Sequence, residues 1–216
     1  MASTANGSPP NGHGGTDEQD PDAAHAEEPS LGDAPIAILE LAESCRGFVR
    51  GALQVELDYE VETLPVLDEY VRLARTGVED RPETEPLVAA AVAAYFGEVV
   101  RRRIEGFWRR SPTVPDEWQL CARRAFLLMS PLGMVYEALH RGEDHSGPSA
   151  ELDLAPSDRA LAEARLAVFP EVSEEDYYLL STRLEVVEVI YEALRDRMRD
   201  EGRESVVFEE EDYADE

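Results

Sequence analysis

The sequence predicts a helix-rich α+β domain. Two observations support this fold class, and a third indicates where the domain begins and ends. Apolar residues recur at helical spacing through most of the segment 35–202. A shorter stretch near 117–130 alternates apolar and polar residues, which is typical of a β-hairpin. The flanking segments 1–34 and 203–216 are strongly acidic. We therefore expect a single domain between two disordered acidic tails.

The first half of the domain reads as three helices. One is expected at 35–53, and a second begins behind Thr63 and ends near Gly77. Pro86 opens a third, central helix at 86–107, whose apolar residues cover two adjoining faces. Between the first two helices, QVELDYEVE alternates apolar and acidic residues, so a short edge strand or an extended segment fits there.

The second half begins with an ambiguous stretch. Residues 116–129 fit either a hairpin or a helix behind Pro115, and we favour a hairpin packed on the central helix. Pro131 starts another helix that ends at Gly142, and Ser157 caps the next one, to about residue 168. Ser173 caps a last helix to about Gly202. A small apolar patch at 206–208 is expected to dock on the domain.

The charge balance limits the partners. The formal net charge is −27, and residues 35–202 alone carry −14. Such a field argues against binding to nucleic-acid phosphates or to anionic lipid. The start of the chain has no secretory signature, and no apolar run reaches the ~18 residues of a membrane span. We expect a cytoplasmic protein, with Cys45 and Cys121 as buried thiols.

Seven arginines nevertheless lie between residues 101 and 124 and give this stretch a local net charge of +4. We call them the arginine cluster: Arg101, Arg102, Arg103, Arg109, Arg110, Arg123 and Arg124. Three interpretations stay open. The cluster meets the chain's own carboxylates on a solvated face. Alternatively, it binds an acidic partner or anionic ligand, with Trp108 and Trp118 as stacking surfaces. As a third option, it binds nucleic acid.

A structural signature precedes the arginine cluster. Gly97 lies inside the central helix, where a glycine costs about 1 kcal/mol against alanine, so a neighbour must need the space. Glu98 precedes Arg101 by three residues and Arg102 by four, the favourable order for a helical ion pair, and we expect a Glu98–Arg102 pair at the edge of the core. We expect Tyr95, Glu98, Arg102 and Trp108 to form the junction between helix and sheet.

Catalytic motifs are scarce. The chain contains no lysine, which excludes Schiff-base chemistry and a phosphate-loop lysine. HRGEDH at 140–145 is the one cluster that resembles a metal site, but its spacing matches no zinc pattern. We assign no metal, no cofactor and no catalytic residue. An enzyme that uses Glu98 with His140 or His145 and a bound metal remains an alternative.

Three segments together resemble a loose set of uncharacterised bacterial proteins: LDYEVETLPVLDEY at 57–70, AAYFGEVVRRRIEGFW at 93–108 and SPLGMVYEALHRG at 130–142. Those proteins share an Asp-Tyr segment, a Tyr-Phe/Leu-Gly-Glu helix that ends at Gly-x-Trp, a short sheet and a Pro-initiated helix. The resemblance covers about residues 50–145. It implies an α+β domain and favours the hairpin, and it carries no known activity.

The sequence thus predicts a non-catalytic interaction protein of adaptor, regulator or immunity type. Its expected binding surface is the arginine cluster with the exposed edges of Trp108 and Trp118. The alternatives are the metal-dependent enzyme and an acidic mimic of nucleic acid that occupies a basic partner's site. The wide apolar surface of the helix 86–107 also leaves a homodimer open.

Overall fold

The centre of the fold is helix α3 (Glu85–Arg103), which is buried along most of its length. The structure, a computed structural model, describes residues 34–109, 113–142 and 145–214. All thirteen residues from Ala89 to Arg101 are buried, and five of them are alanines. Small side chains let neighbouring elements approach closely from several sides. The expected disordered tail 1–34 lies, up to residue 33, outside the described residues.

Four other helices pack against α3. They are α1 (Ile36–Leu53), α2 (Leu64–Asp80), α4 (Pro131–His140) and α7 (Leu180–Asp200). α1 buries Ile38, Ala42, Cys45 and Val49, the stripe expected from its helical spacing. Ser130 caps α4, because its hydroxyl accepts a hydrogen bond from the Gly133 N–H at 3.1 Å.

A four-stranded antiparallel sheet, in the order β1-β2-β3-β4, lies beside α3. Its strands are β1 (Gly106–Arg109), β2 (Gln119–Ala122), β3 (Leu127–Met129) and β4 (Asp153–Leu154). β2 and β3 form the predicted hairpin, with Leu120 opposite Met129. The hairpin is therefore confirmed, and the helical alternative for 116–129 is wrong. Leu120 and Met129 turn inward, whereas Phe107 and Arg109 lie on the outer face of β1.

The predicted central helix is too long at its C-terminal end. α3 ends at Arg103, and Glu105 reverses the chain with a φ of 50°. β1 follows, with Trp108 opposite Leu120 in β2. The apolar residues after Arg103 continue the helical period, but pairing with β2 satisfies their backbone in the extended form instead.

Two other segments differ from the sequence prediction. Residues 55–60 join no ladder among the described residues, so the edge strand considered for them does not form. The helix expected from Ser173 to Gly202 is broken. α6 (Glu174–Tyr177) ends after one turn, and α7 starts anew at Leu180. The N–H groups of Leu180 and Ser181 bond to the carboxylate of Asp68 in α2, a tertiary cap that fixes the break.

The chain after α7 returns to the sheet. α5 (Arg159–Leu166) and α7 lie side by side, and residues Val206–Ala214, here called the C-terminal segment, then pack on the outer face near β1. The expected docking of the 206–208 patch is confirmed by the Phe208 N–H bond to the Arg123 carbonyl at 2.8 Å. The acidic tail expected from residue 203 is anchored as far as Tyr213, because this side chain is buried.

Candidate functional site

The arginine cluster begins with a buried ion pair rather than with a surface. Arg101 donates from Nε and Nη2 to the two carboxylate oxygens of Glu98, at 2.8 and 3.1 Å. The Trp108 indole N–H donates to the same carboxylate at 2.7 Å. Glu98 is fully buried, so these donors replace its water. The expected Glu98–Arg102 pair is wrong, because Arg101 occupies the carboxylate.

Gly97 provides the space for this arrangement. A Cβ at Gly97 would lie 2.2 Å from the Trp108 ring and 3.2 Å from Pro131. Trp108 therefore fits over the helix only where the side chain is absent. We call Gly97, Glu98, Arg101 and Trp108 the Glu98 junction; it ties α3 to β1.

Arg102 and Tyr95 serve another contact. The Arg102 guanidinium lies 4.3 Å from the centroid of the Tyr59 ring, which stacks on Tyr95 at 4.7 Å. The Tyr95 hydroxyl accepts a hydrogen bond from the Tyr59 N–H at 2.7 Å, and Tyr59 has a φ of 67°. Burial raises the pKa of both tyrosines. Tyr95 and Arg102 thus contact the segment 55–60. They do not form the junction between helix and sheet, as we had expected them to.

The outer arginines are held by the chain's own acids and amides. Arg103 pairs with Glu188 in α7, and Arg109 donates to the Gln119 side chain at 2.9 Å. Arg124 and Arg195 share one carboxylate, that of Glu105, at 3.5 and 3.6 Å. These contacts support the first interpretation of the cluster, a face that meets the chain's own carboxylates, with Glu105 alone serving two arginines. Arg110 lies outside the described residues.

The two tryptophans differ in exposure. Trp118 is 1% exposed and meets Trp108 edge to face at 5.8 Å. The expected exposed edge of Trp118 is therefore wrong, because this ring forms part of the core. Trp108 is half-buried and turns its polar edge to Glu98. Of the described residues in the expected binding surface, Arg101 and Trp118 are buried and cannot contribute as the chain is folded.

The C-terminal segment covers part of the remaining surface. The Tyr213 hydroxyl lies 2.6 Å from the Ala122 carbonyl and 3.0 Å from that of Ala125, and accepts from the Leu127 N–H at 3.3 Å. Its ring stacks on Phe126 at 4.7 Å. Burial raises the pKa of Tyr213. The turn that joins β2 to β3 is thereby covered by a residue far away in sequence.

Arg123 lies at the centre of this contact. Its guanidinium stacks 4.7 Å from the centroid of the Phe107 ring, which meets Tyr213 edge on at 5.9 Å. The Arg123 Nε is buried and bonds to no group in the described part of the chain. Phe208 completes the aromatic cluster against Phe126 at 6.0 Å. We call Phe107, Arg123, Phe126 and the surface they share the Arg123 cleft.

The cleft escaped the sequence prediction. In the sequence, Phe126 lies within the predicted hairpin and Tyr213 within an acidic run, and neither position indicates a contact between them. The available signal was the Phe-x4-Tyr pattern at 208–213, two aromatic side chains in a segment otherwise unable to bury surface.

The structure places His140 and His145 of the alternative metal site, whereas Glu143 and Asp144 of the same HRGEDH stretch lie outside the described residues. His140 bonds through Nε2 to Glu85 at the start of α3, and its ring lies against those of Tyr136 and His145, which also stack on each other. Glu98 lies thirteen residues further along α3, a rise of about 20 Å. The fold therefore does not bring Glu98 together with His140 or His145. Within the described ranges, no group of three or more His, Cys, Asp or Glu side chains is placed to hold a metal ion.

Comparisons with protein-family models, with curated proteins and with solved structures find no match for this chain. The resemblance to the uncharacterised bacterial set stays a prediction. In the part of the chain that the structure describes, no helix is both long and apolar enough to cross a bilayer.

Proposed function

We propose that this chain is a non-catalytic cytoplasmic interaction protein, of adaptor, regulator or immunity type. It binds an acidic segment of a partner protein, and that segment carries two aromatic side chains. The binding surface is the Arg123 cleft, flanked by Arg109 and Arg124. The observation that carries the proposal is the chain's own C-terminal segment, which has this chemistry and occupies this surface.

The contacts define what a ligand needs. Tyr213 and Phe208 supply ring contacts and the Tyr213 hydroxyl supplies the polar bonds, whereas residues 209–212 are exposed. Affinity therefore resides in the aromatic anchors, and the acids act at longer range. Arg124 and Arg195 share a single carboxylate, which leaves an excess of positive charge beside the cleft. Such an excess attracts an acidic segment and repels a basic one.

Neither thiol in the domain favours a catalytic role. Cys45 and Cys121 are both fully buried. Burial raises the pKa of Cys45, which opposes formation of the reactive thiolate. A binding role requires no such group, and the cleft offers rings, one half-buried arginine and backbone acceptors.

A peptide of residues 203–214, fluorescently labelled, tests the proposal against the full chain. In the wild type the C-terminal segment competes at an effective concentration in the millimolar range, so the peptide should bind weakly. In the Phe208→Ala/Tyr213→Ala chain the cleft is vacated, and anisotropy should show binding at least about tenfold tighter. A peptide with both aromatic residues replaced by alanine should not bind either protein.

Two charge reversals locate the surface. Arg123→Glu/Arg124→Glu in the vacated chain should abolish peptide binding, whereas Arg102→Glu/Arg103→Glu, the matched control, should leave it nearly unchanged. The reverse order of effects would move the surface to the end of α3. Equal binding of native and alanine peptides would refute the cleft. Circular dichroism confirms folding, and Tyr213→Phe, which loses only the hydroxyl bonds, serves if the double variant unfolds.

A further inference from the structure

Large apolar side chains stand in water between α5 and α7. Val168 is 78% exposed, Phe169 54%, Val172 53% and Tyr177 45%. We call these four residues the apolar ledge. They fall within ten consecutive positions, on the connection between α5 and α7. Contiguous apolar surface rimmed by polar groups marks interaction sites, whereas scattered exposed residues need no explanation.

The rest of the described surface offers the contrast. The other large apolar residues that are similarly exposed lie far apart in sequence: Ile36, Val55, Leu73, Leu87 and Val114. Side-chain contacts also fix the apolar ledge at its C-terminal end, Tyr177. The Tyr177 ring supports the Arg183 guanidinium at 4.1 Å, and Arg183 pairs with Glu137 of α4. Ser173 caps α6 by accepting a hydrogen bond from the Asp176 N–H at 3.1 Å.

A groove meets the apolar ledge at Tyr177, and its lining is part apolar and part charged. It encloses about 390 Å³ between β4, α5 and Tyr177, and its apolar lining includes Leu152, Leu154, Ala162 and Leu166. The apolar ledge and groove together resemble the surface on which an amphipathic helix lays one face.

The charges around the apolar ledge favour a positively charged binding partner. Residues 163–177 contain five acids and one arginine, a net charge of −4, and all six charged side chains are exposed. The acids are Glu163, Glu171, Glu174, Glu175 and Asp176. A second copy would bring the same negative charge to this surface, and an anionic membrane would also be repelled.

We propose that the apolar ledge and its groove bind a basic amphipathic helix of a partner protein. Its apolar face covers Val168, Phe169 and Val172, and its cationic side chains meet the acidic rim. This surface is independent of the Arg123 cleft and prefers the opposite charge. A chain with both surfaces bridges an acidic and a basic partner.

The test uses a labelled helical peptide of about 18 residues, five turns, with leucine on one face and arginine on the other. The full wild-type chain should bind it. Phe169→Ser/Val172→Ser should weaken binding about tenfold or more through lost apolar burial. Glu171→Gln/Glu174→Gln should weaken it less and flatten its salt dependence.

Matched controls exclude general attraction to an acidic protein. Leu73→Ser/Leu87→Ser removes two exposed apolar residues elsewhere, and Glu79→Gln/Glu83→Gln removes two distant charges; neither should change the affinity. Equal losses at the two places, or equal binding of a peptide of the same composition without an apolar face, would overturn the proposal. So would a wild-type dimer in sedimentation velocity that Phe169→Ser dissociates, because a second copy would then be the occupant.

Discussion

The Glu98 junction and the apolar ledge reverse the usual placement of charged and apolar side chains. At the junction a carboxylate and a guanidinium are buried in the core, whereas at the ledge four large apolar side chains lie in water. Both lie next to stretches of strong charge in the sequence. The difference lies in what each place packs against: Trp108 and a missing side chain at Gly97 enclose Glu98, and no described element covers Phe169. The chemistry of a side chain favours burial or exposure, and the packing of neighbouring elements determines which of the two occurs.

The largest expected effect tests the junction directly. Glu98→Ala leaves Arg101 buried without its carboxylate and Trp108 without its acceptor, so we expect a loss of about 3–5 kcal/mol in the free energy of unfolding. Urea unfolding measures it. Glu188→Ala, which breaks the surface pair with Arg103, is the matched control and should cost at most about 1 kcal/mol. Similar costs for the two variants would show that the junction behaves as surface.

A smaller effect is expected at Gly97. Gly97→Ala places a methyl group inside the Trp108 ring contact and should cost about 1–3 kcal/mol, because Trp108 must shift. Gly51→Ala in α1, where nothing lies within 4 Å, should instead stabilise the protein by up to about 1 kcal/mol. Thermal unfolding compares them, and tryptophan fluorescence should change only at Gly97. An unchanged spectrum would mean that Trp108 does not depend on that space.

Asp68 is a buried acid held by backbone donors instead of by arginine. Asp68→Ala removes the cap of α7 and should cost about 1–2 kcal/mol in chemical unfolding. Burial raises the pKa of this carboxyl, against the opposing effect of its hydrogen bonds.

The sign of the pH effect follows from this raised pKa. The folded state binds the Asp68 proton more tightly than the unfolded chain does. This proton binding therefore stabilises the folded state fully below about pH 4, the pKa of an aspartic acid in the unfolded chain. It is lost as the pH rises through the folded pKa. Relative to Asp68→Asn, which does not titrate, the wild type should therefore become less stable as the pH rises from about 4. A difference that grows in the opposite direction would mean that the Leu180 and Ser181 donors dominate.

The smallest expected effect lies at the apolar ledge. Phe169→Ser should change the free energy of unfolding by no more than about 0.5 kcal/mol, because the ring is already in water. Phe96→Ser, on the fully buried face of α3, is the contrasting variant and should cost more than about 3 kcal/mol. A cost above about 1 kcal/mol at Phe169 would assign the ledge to the core, and the proposed docking surface would disappear.

The helices and the hairpin could be predicted because their signals are local. Pro131, Ser130 and the apolar stripe of α1 act within one turn or one face, and the alternation at 119–129 has the period of a strand. β1 could not be predicted in the same way. Its four residues continue a helical pattern, and only pairing with β2, more than ten residues later, makes the extended form favourable.

The candidate site divides in the same way. Gly97 and Glu98 indicated a close contact in the sequence. A glycine inside a helix and an acid on an apolar face are both unfavourable unless a neighbouring group compensates for them. That Arg101 rather than Arg102 takes the carboxylate depends on where Tyr59 lies, and this residue is some forty positions away. The Arg123 cleft depends on Tyr213, at a still greater separation.

By itself, the sequence determined the α+β class, the places of the major helices, the hairpin and the concentration of positive charge after α3. Periodicity, caps and charge density are properties of neighbouring residues, so they survive without any knowledge of the fold. The tertiary structure decided which charges are buried, which rings are exposed and where the chain returns to cover its own sheet. Those outcomes depend on contacts between distant segments, whose free energy arises only when desolvation and pairing occur together.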